Sequence, residues 1–402
     1  MRGVTADLQE NEAPSIFSLG LTLFFAWLVL FFALVRSNYS LVAPAAAILI
    51  LMHGTRFWSR IAVTRLGLIL SPDRTRLFPD ESLVLTVGLH NAKLLPIWLQ
   101  LQLGTPLHLM PEQALEGETR LFSYQKSSRD FRLTAIRRGV VALGPATVVA
   151  GDLLGLHRRI RRYPSSHEIV IFPHLRKLQP LYIPFQEYFG IHASKGLVED
   201  PAWYAGTRDY CGNRPARNIH WKASARLGVL QEKLYEPTSH RKVLFVLDCR
   251  GFGLNDSMPD TEDLERMIEA VASVAVALMD TGASFGFVTD ARIGGSFASL
   301  LPMGRGPEHL GVVLEMLARL EPTSHGNLDA LLREAIGSAM GVVYFGAQAG
   351  EQVRSLFAPL APRRRRMFFI FAAAATDDRP VQHAWDGCPA YLTREVIDVR
   401  GA

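Results

Sequence analysis

Residues 243–248 read VLFVLD, five apolar residues closed by a carboxylate, Asp248. A continuous apolar run of this length suits a parallel strand covered on both faces. From Lys242 onward such runs alternate with helical ones. Thr261–Asp280 sets Leu264, Met267, Ile268, Val271, Val274, Ala275 and Leu278 on one helical face. Thr261 and acidic neighbours mark its start, and Gly282 its end. SFGFVTD, then GPEHLGVVLEMLARL with Pro307 near its start, then LDALLREAIGSA, GVVYFG, EQVRSLFAPLA and RMFFIFAA continue the alternation. The pattern predicts a doubly wound parallel sheet over residues 241–402. Arg363–Arg366 read as a helix end and solvated loop. No helix in this half opens on a glycine-rich phosphate loop: GRGPEH lacks the GxGxxG spacing, and GxxxxGK[ST] is missing. Nucleotide binding is not expected, and no cofactor is implied.

Directly upstream, Trp203–Pro237 reads WYAGTRDYCGNRPARNIHWKASARLGVLQEKLYEP, crowded with cationic and aromatic side chains. Three chemical readings apply. His220 as base with Cys211 or Ser224 as nucleophile lacks any GxSxG elbow, since Ala223 and Ala225 flank Ser224. His220, Cys211, Asp209 and Asp248 as metal ligands match no ligand spacing. Arg208, Arg214, Arg217, Lys222 and Arg226 could form an anion site, but a guanidinium equally serves a buried carboxylate such as Asp209 or Glu232. The structural alternative is a clasp in which Tyr and Trp supply apolar area and Arg ties strand edges.

Further upstream, residues 66–163 show short alternating runs: Leu83, Leu85, Val87 and Leu89, then Ile97, Leu99, Leu101 and Leu103, then RDFRLTA and GVVALGPATVVAG. These predict a small β-sandwich. HRRIRRYP (157–164) reads as a solvated linker or a lipid- or phosphate-binding patch. At the N-terminus a polar tail, 1–14, precedes 20 uncharged residues, Ile16–Val35, long enough to cross a membrane. LVAPAAAILILM (41–52) supports a second span within Tyr39–Trp58 or an interfacial segment. Arg56, Arg60 and Arg65 follow it, whereas Arg36 is alone in the turn. That asymmetry predicts a hairpin over 15–58 with both ends cytoplasmic.

The chain has 402 residues, 49% apolar and 20% charged, with a net charge of +5. Two or three domains fit that length, and the modest charge does not demand a nucleic-acid partner. Three distant cysteines with no CxxC spacing, Cys211, Cys249 and Cys388, exclude a disulfide framework and suit a reducing compartment.

The residues Gly206, Arg208, Asp209, Tyr210, Arg217, Ile219, His220, Trp221, Lys222, Ala223, Ser224, Ala225 and Arg226 form a run that resembles the signature of the bacterial domain-of-unknown-function family numbered fifty-eight. RRGVVALGPATVVAGDLLGL upstream is similar to a second segment of that family. The resemblance implies an inner-membrane protein with its soluble domains in the cytoplasm and a C-terminal domain, 241–402, like von Willebrand factor type A, a Rossmann-like winding. It also implies partnership with MoxR-type AAA+ ATPases and transglutaminase-like membrane proteins, with no established catalysis. Segment 164–240 holds the signature. Arg208, Asp209, Tyr210, Arg217, His220, Trp221, Lys222, Ser224 and Arg226 are its candidate binding residues.

Two departures matter. The family usually has Gly-Asp where Asn213 and Arg214 stand. Type A domains hold a divalent ion on Asp-x-Ser-x-Ser after the first strand, whereas here the run is Asp248-Cys249-Arg250-Gly251-Phe252. One carboxylate does not hold Mg²⁺, so no metal is expected and Arg250 is predicted to pair with Asp248. The functional expectation is a non-enzymatic membrane-anchored scaffold. Its rivals are an envelope enzyme acting on an anionic substrate and an anionic-lipid or nucleic-acid binder.

Overall fold

The computed structural model describes residues 19–62, 64–104, 107–151, 158–165, 167–181, 204–210, 218–235, 242–252, 261–295, 298–324, 327–358, 366–372, 384–385 and 387–398. The chain divides into two units, Met1–His174 and Leu175–Ala402.

The first unit opens with helices α1 (Leu19–Val35) and α2 (Tyr39–Ala62), antiparallel across a turn in which Asn38 N donates to Ala33 O at 2.8 Å. Trp27 of α1 meets His53 of α2 edge to face, ring centroids 6.3 Å apart. Phe24, Phe25, Phe31 and Phe32 of α1 and Ile48, Ile50 and Leu51 of α2 are exposed and make an apolar surface. α2, with 24 residues, is the helix long and apolar enough to cross a membrane among those described. The described 17 residues of α1 span only ~25 Å. The rest of the expected first span, Ile16–Ser18, lies outside the described residues. The longer helix is therefore the second, because helical structure continues through HGTRFWSRIA beyond the apolar run and accommodates Pro44.

Eleven strands follow: β1 (Leu66–Pro72), β2 (Arg76–Leu77), β3 (Ser82–Asn91), β4 (Ile97–Leu103), β5 (Leu109–Pro111), β6 (Glu116–Leu121), β7 (Lys126–Ala135), β8 (Gly139–Leu143), β9 (Ala146–Gly151), β10 (Arg158–Tyr163) and β11 (His167–Ile171). They form three sheets, ordered β1-β3-β7-β5, β10-β9-β4-β6 and β2-β11-β8. The alternating residues of β3 and β4 point into one core with Phe131, Leu133, Val148 and Ala150. The arginine-rich run is a strand, not a linker. β10 pairs antiparallel with β9, setting Arg159 opposite Ala150 and Arg161 opposite Val148. Arg158 and Arg161 cover the rings of Trp98 and Tyr163 at 4.9 and 5.0 Å, which accommodates this charge density within a sheet.

In the second unit, β12 (Tyr204–Asp209) and β13 (Gln231–Tyr235) form an antiparallel pair. The short helix α3 (Trp221–Leu227) lies between them in sequence. The main sheet contains β14 (Lys242–Leu247), β15 (Ser284–Thr289), β17 (Leu300–Gly304), β19 (Gly341–Gly346), β20 (Arg366–Phe371), β21 (Ala384–Trp385) and β22 (Cys388–Leu392). Its order is β17-β15-β14-β19-β20-β22-β21, parallel except for the edges β17 and β21. β16 (Ala291–Ile293) and β18 (Leu320–Ser324) form a side ribbon. Helices α4 (Thr261–Asp280), α5 (Pro307–Arg319), α6 (Leu328–Ala335), α7 (Glu351–Phe357) and α8 (Thr393–Val396) provide the alternation. All seven residues assigned to the inner face of α4 are buried, as are all six of β19. The chain order reverses between β14 and β19, the place where doubly wound sheets open a crevice beyond their strand ends.

Candidate functional site

Several of the signature residues that the structure describes are held within the motif by hydrogen bonds. Arg208 and Glu232 are cross-strand partners in register, and Arg208 Nε donates to Glu232 Oε1. Glu232 is only 1% exposed, so the ion pair neutralises a carboxylate in the interior of the motif. Gln231 Nε2 donates to Asp209 Oδ1 at 2.6 Å, and Tyr210 N to Leu230 O at 2.8 Å. Ile219 bridges to Glu232.

His220 caps α3. Its Nδ1 accepts from Ala223 N at 3.0 Å, replacing the usual oxygen acceptor at a helix start. An accepting Nδ1 places the proton of a neutral ring on Nε2. Ser224 Oγ donates to His220 O at 3.1 Å and accepts from Gln231 N at 2.8 Å. Its proton is directed at a main-chain carbonyl, not at the imidazole, so the nucleophile–base pairing considered for these residues is not assembled. Gly228, at φ 71°, closes the helix in the left-handed region, its N–H reaching Ser224 O.

The outward face is different. α3 buries none of its residues. Trp221 is 67% exposed, and Lys222, Arg226, Leu227, Val229 and Leu230 are exposed beside it in sequence. The predicted constellation thus separates: Arg208, Asp209, His220 and Ser224 are bound into the clasp, while Trp221, Lys222 and Arg226 face out. Cys211, Asn213, Arg214 and Arg217 lie outside the described residues.

A second polar cluster sits at the carboxyl end of β14. Arg250 donates to buried Asp248 twice through its side chain, Nε to Oδ1 at 2.9 Å and Nη2 to Oδ2 at 2.8 Å, and once through its main-chain N at 2.9 Å. Tyr344 OH completes the set at 2.8 Å from Oδ2. These bonds hold the guanidinium above its ordinary pKa, and burial, then the Asp248 charge, raise the Tyr344 phenol. Buried Asp290 accepts from Cys249 N at 2.7 Å, and Thr289 Oγ1 from Ala291 N at 3.1 Å. The divalent ion implied by the type A resemblance does not fit these residues, because a tethered cation already occupies the Asp248 oxygens. Among the described residues no group of three His, Cys, Asp or Glu could hold a metal. Tyr344, Thr289 and Asp290 escaped the sequence reading, although SFGFVTD, like VLFVLD, ends a buried strand on a carboxylate.

The family model described as "Protein of unknown function DUF58" matches residues 206–344. That range runs from within β12 of the clasp into β19. The uncharacterized protein YeaD of Bacillus subtilis (strain 168) is 20% identical over 271 residues, 66% of this chain. The match covers 65%, under two thirds, of that relative. Among solved structures, the ASH/PapD-like domain 7 of human CEP192 is 12% identical, with a TM-score of 0.18 over 27% of this chain and 84% of its own. A FixG-related protein of Vibrio parahaemolyticus is 11% identical, with a TM-score of 0.19 over 27% and 98%. At these TM-scores neither likeness bears on the fold.

Proposed function

We propose that the chain is a non-enzymatic scaffold, anchored in the bacterial inner membrane by the α1–α2 hairpin, which offers its second unit to cytoplasmic protein partners. The observation that carries this reading is the division of labour within the signature. Among the described residues, Arg208, Asp209, His220 and Ser224 are engaged in internal hydrogen bonds, and Trp221, Lys222, Arg226, Leu227 and Val229 face solvent. Exposed Trp and Arg on a rigid element are the side chains that dominate protein–protein contacts. The strand order, parallel throughout except at the two edge strands β17 and β21, supports a type A-like assignment in which Arg250 substitutes for the metal. The resemblance then nominates a MoxR-type AAA+ ATPase as partner, and a transglutaminase-like membrane protein as a second. Arg56 and Arg60 in the last turns of α2, with Arg65 just beyond it, favour a cytoplasmic location for the soluble units.

The test is capture from detergent extracts with the affinity-tagged full chain. A MoxR-type ATPase is expected among the recovered proteins, with recovery unchanged by EDTA and by His220→Ala. Loss of recovery with EDTA, or absence of such an ATPase, contradicts the reading.

A further inference from the structure

One end of the first unit carries large apolar side chains that its own core does not use. Leu94, in the β3–β4 connection, and Phe122 and Tyr124, in the β6–β7 connection, are 70%, 65% and 62% exposed. The two connections form one structure. Tyr124 N donates to Lys93 O at 3.1 Å, and Ser123 Oγ donates to Leu94 O. The buried Asn91 amide spans both, donating at 2.9 Å to Leu95 O and to Phe122 O.

That structure is fastened to the end of α2. Buried Lys93 Nζ donates to Ile61 O at 2.8 Å, to Ala62 O and to Thr64 O at 2.7 Å. A cation there meets the orphan carbonyls and the negative end of the helix dipole. Trp58 Nε1 donates to Pro96 O at 2.9 Å, and Ala92 N to Arg65 O at 3.1 Å. The apolar tips are thereby fixed beside the stretch where α2 changes from lipid-like to interfacial composition. Ile48, Ile50 and Leu51 give way to Arg56, Trp58 and Arg60, the residue types of a membrane–water boundary. Arg56, Arg60, Arg65 and Lys126 are exposed around this end.

We propose that Leu94, Phe122 and Tyr124 insert into the interfacial layer of the bilayer that holds α2, seating the β unit on an anionic phospholipid surface. The rings enter the boundary between acyl chains and headgroups, and the four basic residues meet the phosphates. This rests on α2 being the membrane anchor, and adds that the β unit lies on the membrane rather than hanging from it.

The experiment places photoreactive p-benzoylphenylalanine in the full chain, reconstituted in phosphatidylglycerol–phosphatidylethanolamine vesicles. It replaces one residue at a time: Phe122, Tyr124, Leu51 of α2, or Leu107. Leu107 is exposed and lies beyond the far end of β4, at least ~20 Å along that strand from Pro96. All four are exposed, so no core packing is lost. Phospholipid adducts are expected from positions 122, 124 and 51 and none from 107. Lipid adducts from 51 alone, or protein adducts at 122 and 124, overturn the seating and leave the anchor standing. No lipid adduct from 51 overturns the anchor reading, and the seating with it.

Discussion

Arg250 grips Asp248 with both prongs of its guanidinium, at 2.9 and 2.8 Å, at the carboxyl end of the central strand. A side chain two residues along thus occupies the oxygens that a divalent ion would otherwise use. Arg250→Met leaves a buried carboxylate with only the Tyr344 hydroxyl and main-chain donors. Breaking a fully buried pair costs ~3–5 kcal/mol. Because the Arg250 side chain is 36% exposed, the expected loss is smaller, ~2 kcal/mol. Hydrogen exchange of the β14 and β19 amides measures it. Asp248→Asn combined with Arg250→Met should restore more than half of the protection. EDTA or added Mg²⁺ should leave the wild-type exchange pattern unchanged.

The clasp makes a separate prediction. Removing the His220 cap with His220→Ala should cost ~1 kcal/mol of local stability, whereas His220→Asn, which keeps a capping acceptor, should cost little. Arg208→Ala, which orphans Glu232, should cost ~1–2 kcal/mol, less than a fully buried pair because the Arg208 side chain is 46% exposed, and Glu232→Gln added to it should recover part of that. Protease resistance of the 204–235 segment separates these variants. A catalytic role would instead show full resistance with lost function.

The β unit should respond to alkaline pH in two opposed ways. Burial, then the nearby Arg161 charge, pulls Lys93 down to about 8 from 10.5. Between those values the unfolded chain holds a proton that the folded unit has released, so this group makes stability rise with pH from about 8 to 10.5. Burial raises the Tyr163 phenol above 10.0. Above that pH the folded unit holds the extra proton, and stability falls. Thermal melts across this range should therefore show an alkaline maximum, and Lys93→Met should erase its rising limb.

Much of this architecture is legible in the sequence because period and burial coincide. The α4 stripe, the β3 and β4 alternation and the continuous run of β14 each face a core that their spacing describes. The Arg250–Asp248 pair was legible too, since an Arg in a ligand position has one neighbouring carboxylate to meet. What spacing could not reveal is contact between distant segments. Tyr344 lies 96 residues from Asp248, and Lys93 lies about 30 residues from the helix end that it caps. β10 escaped because four arginines suppress a strand reading, and the packing of Arg158 on Trp98 and of Arg161 on Tyr163 is not visible in spacing. In the signature, the residue types pointed to chemistry. Only the hydrogen bonds separate His220 and Ser224, which hold the clasp, from Trp221, which does not.

The most direct test of the scaffold account compares capture by the wild-type full chain with capture by Trp221→Ala and by His220→Asn. Trp221 is exposed, so its truncation should leave stability within ~0.5 kcal/mol. The account predicts that Trp221→Ala loses most of the recovered MoxR-type ATPase while His220→Asn keeps it. Undiminished recovery by Trp221→Ala would contradict the claim that the outward face of the signature is the binding surface.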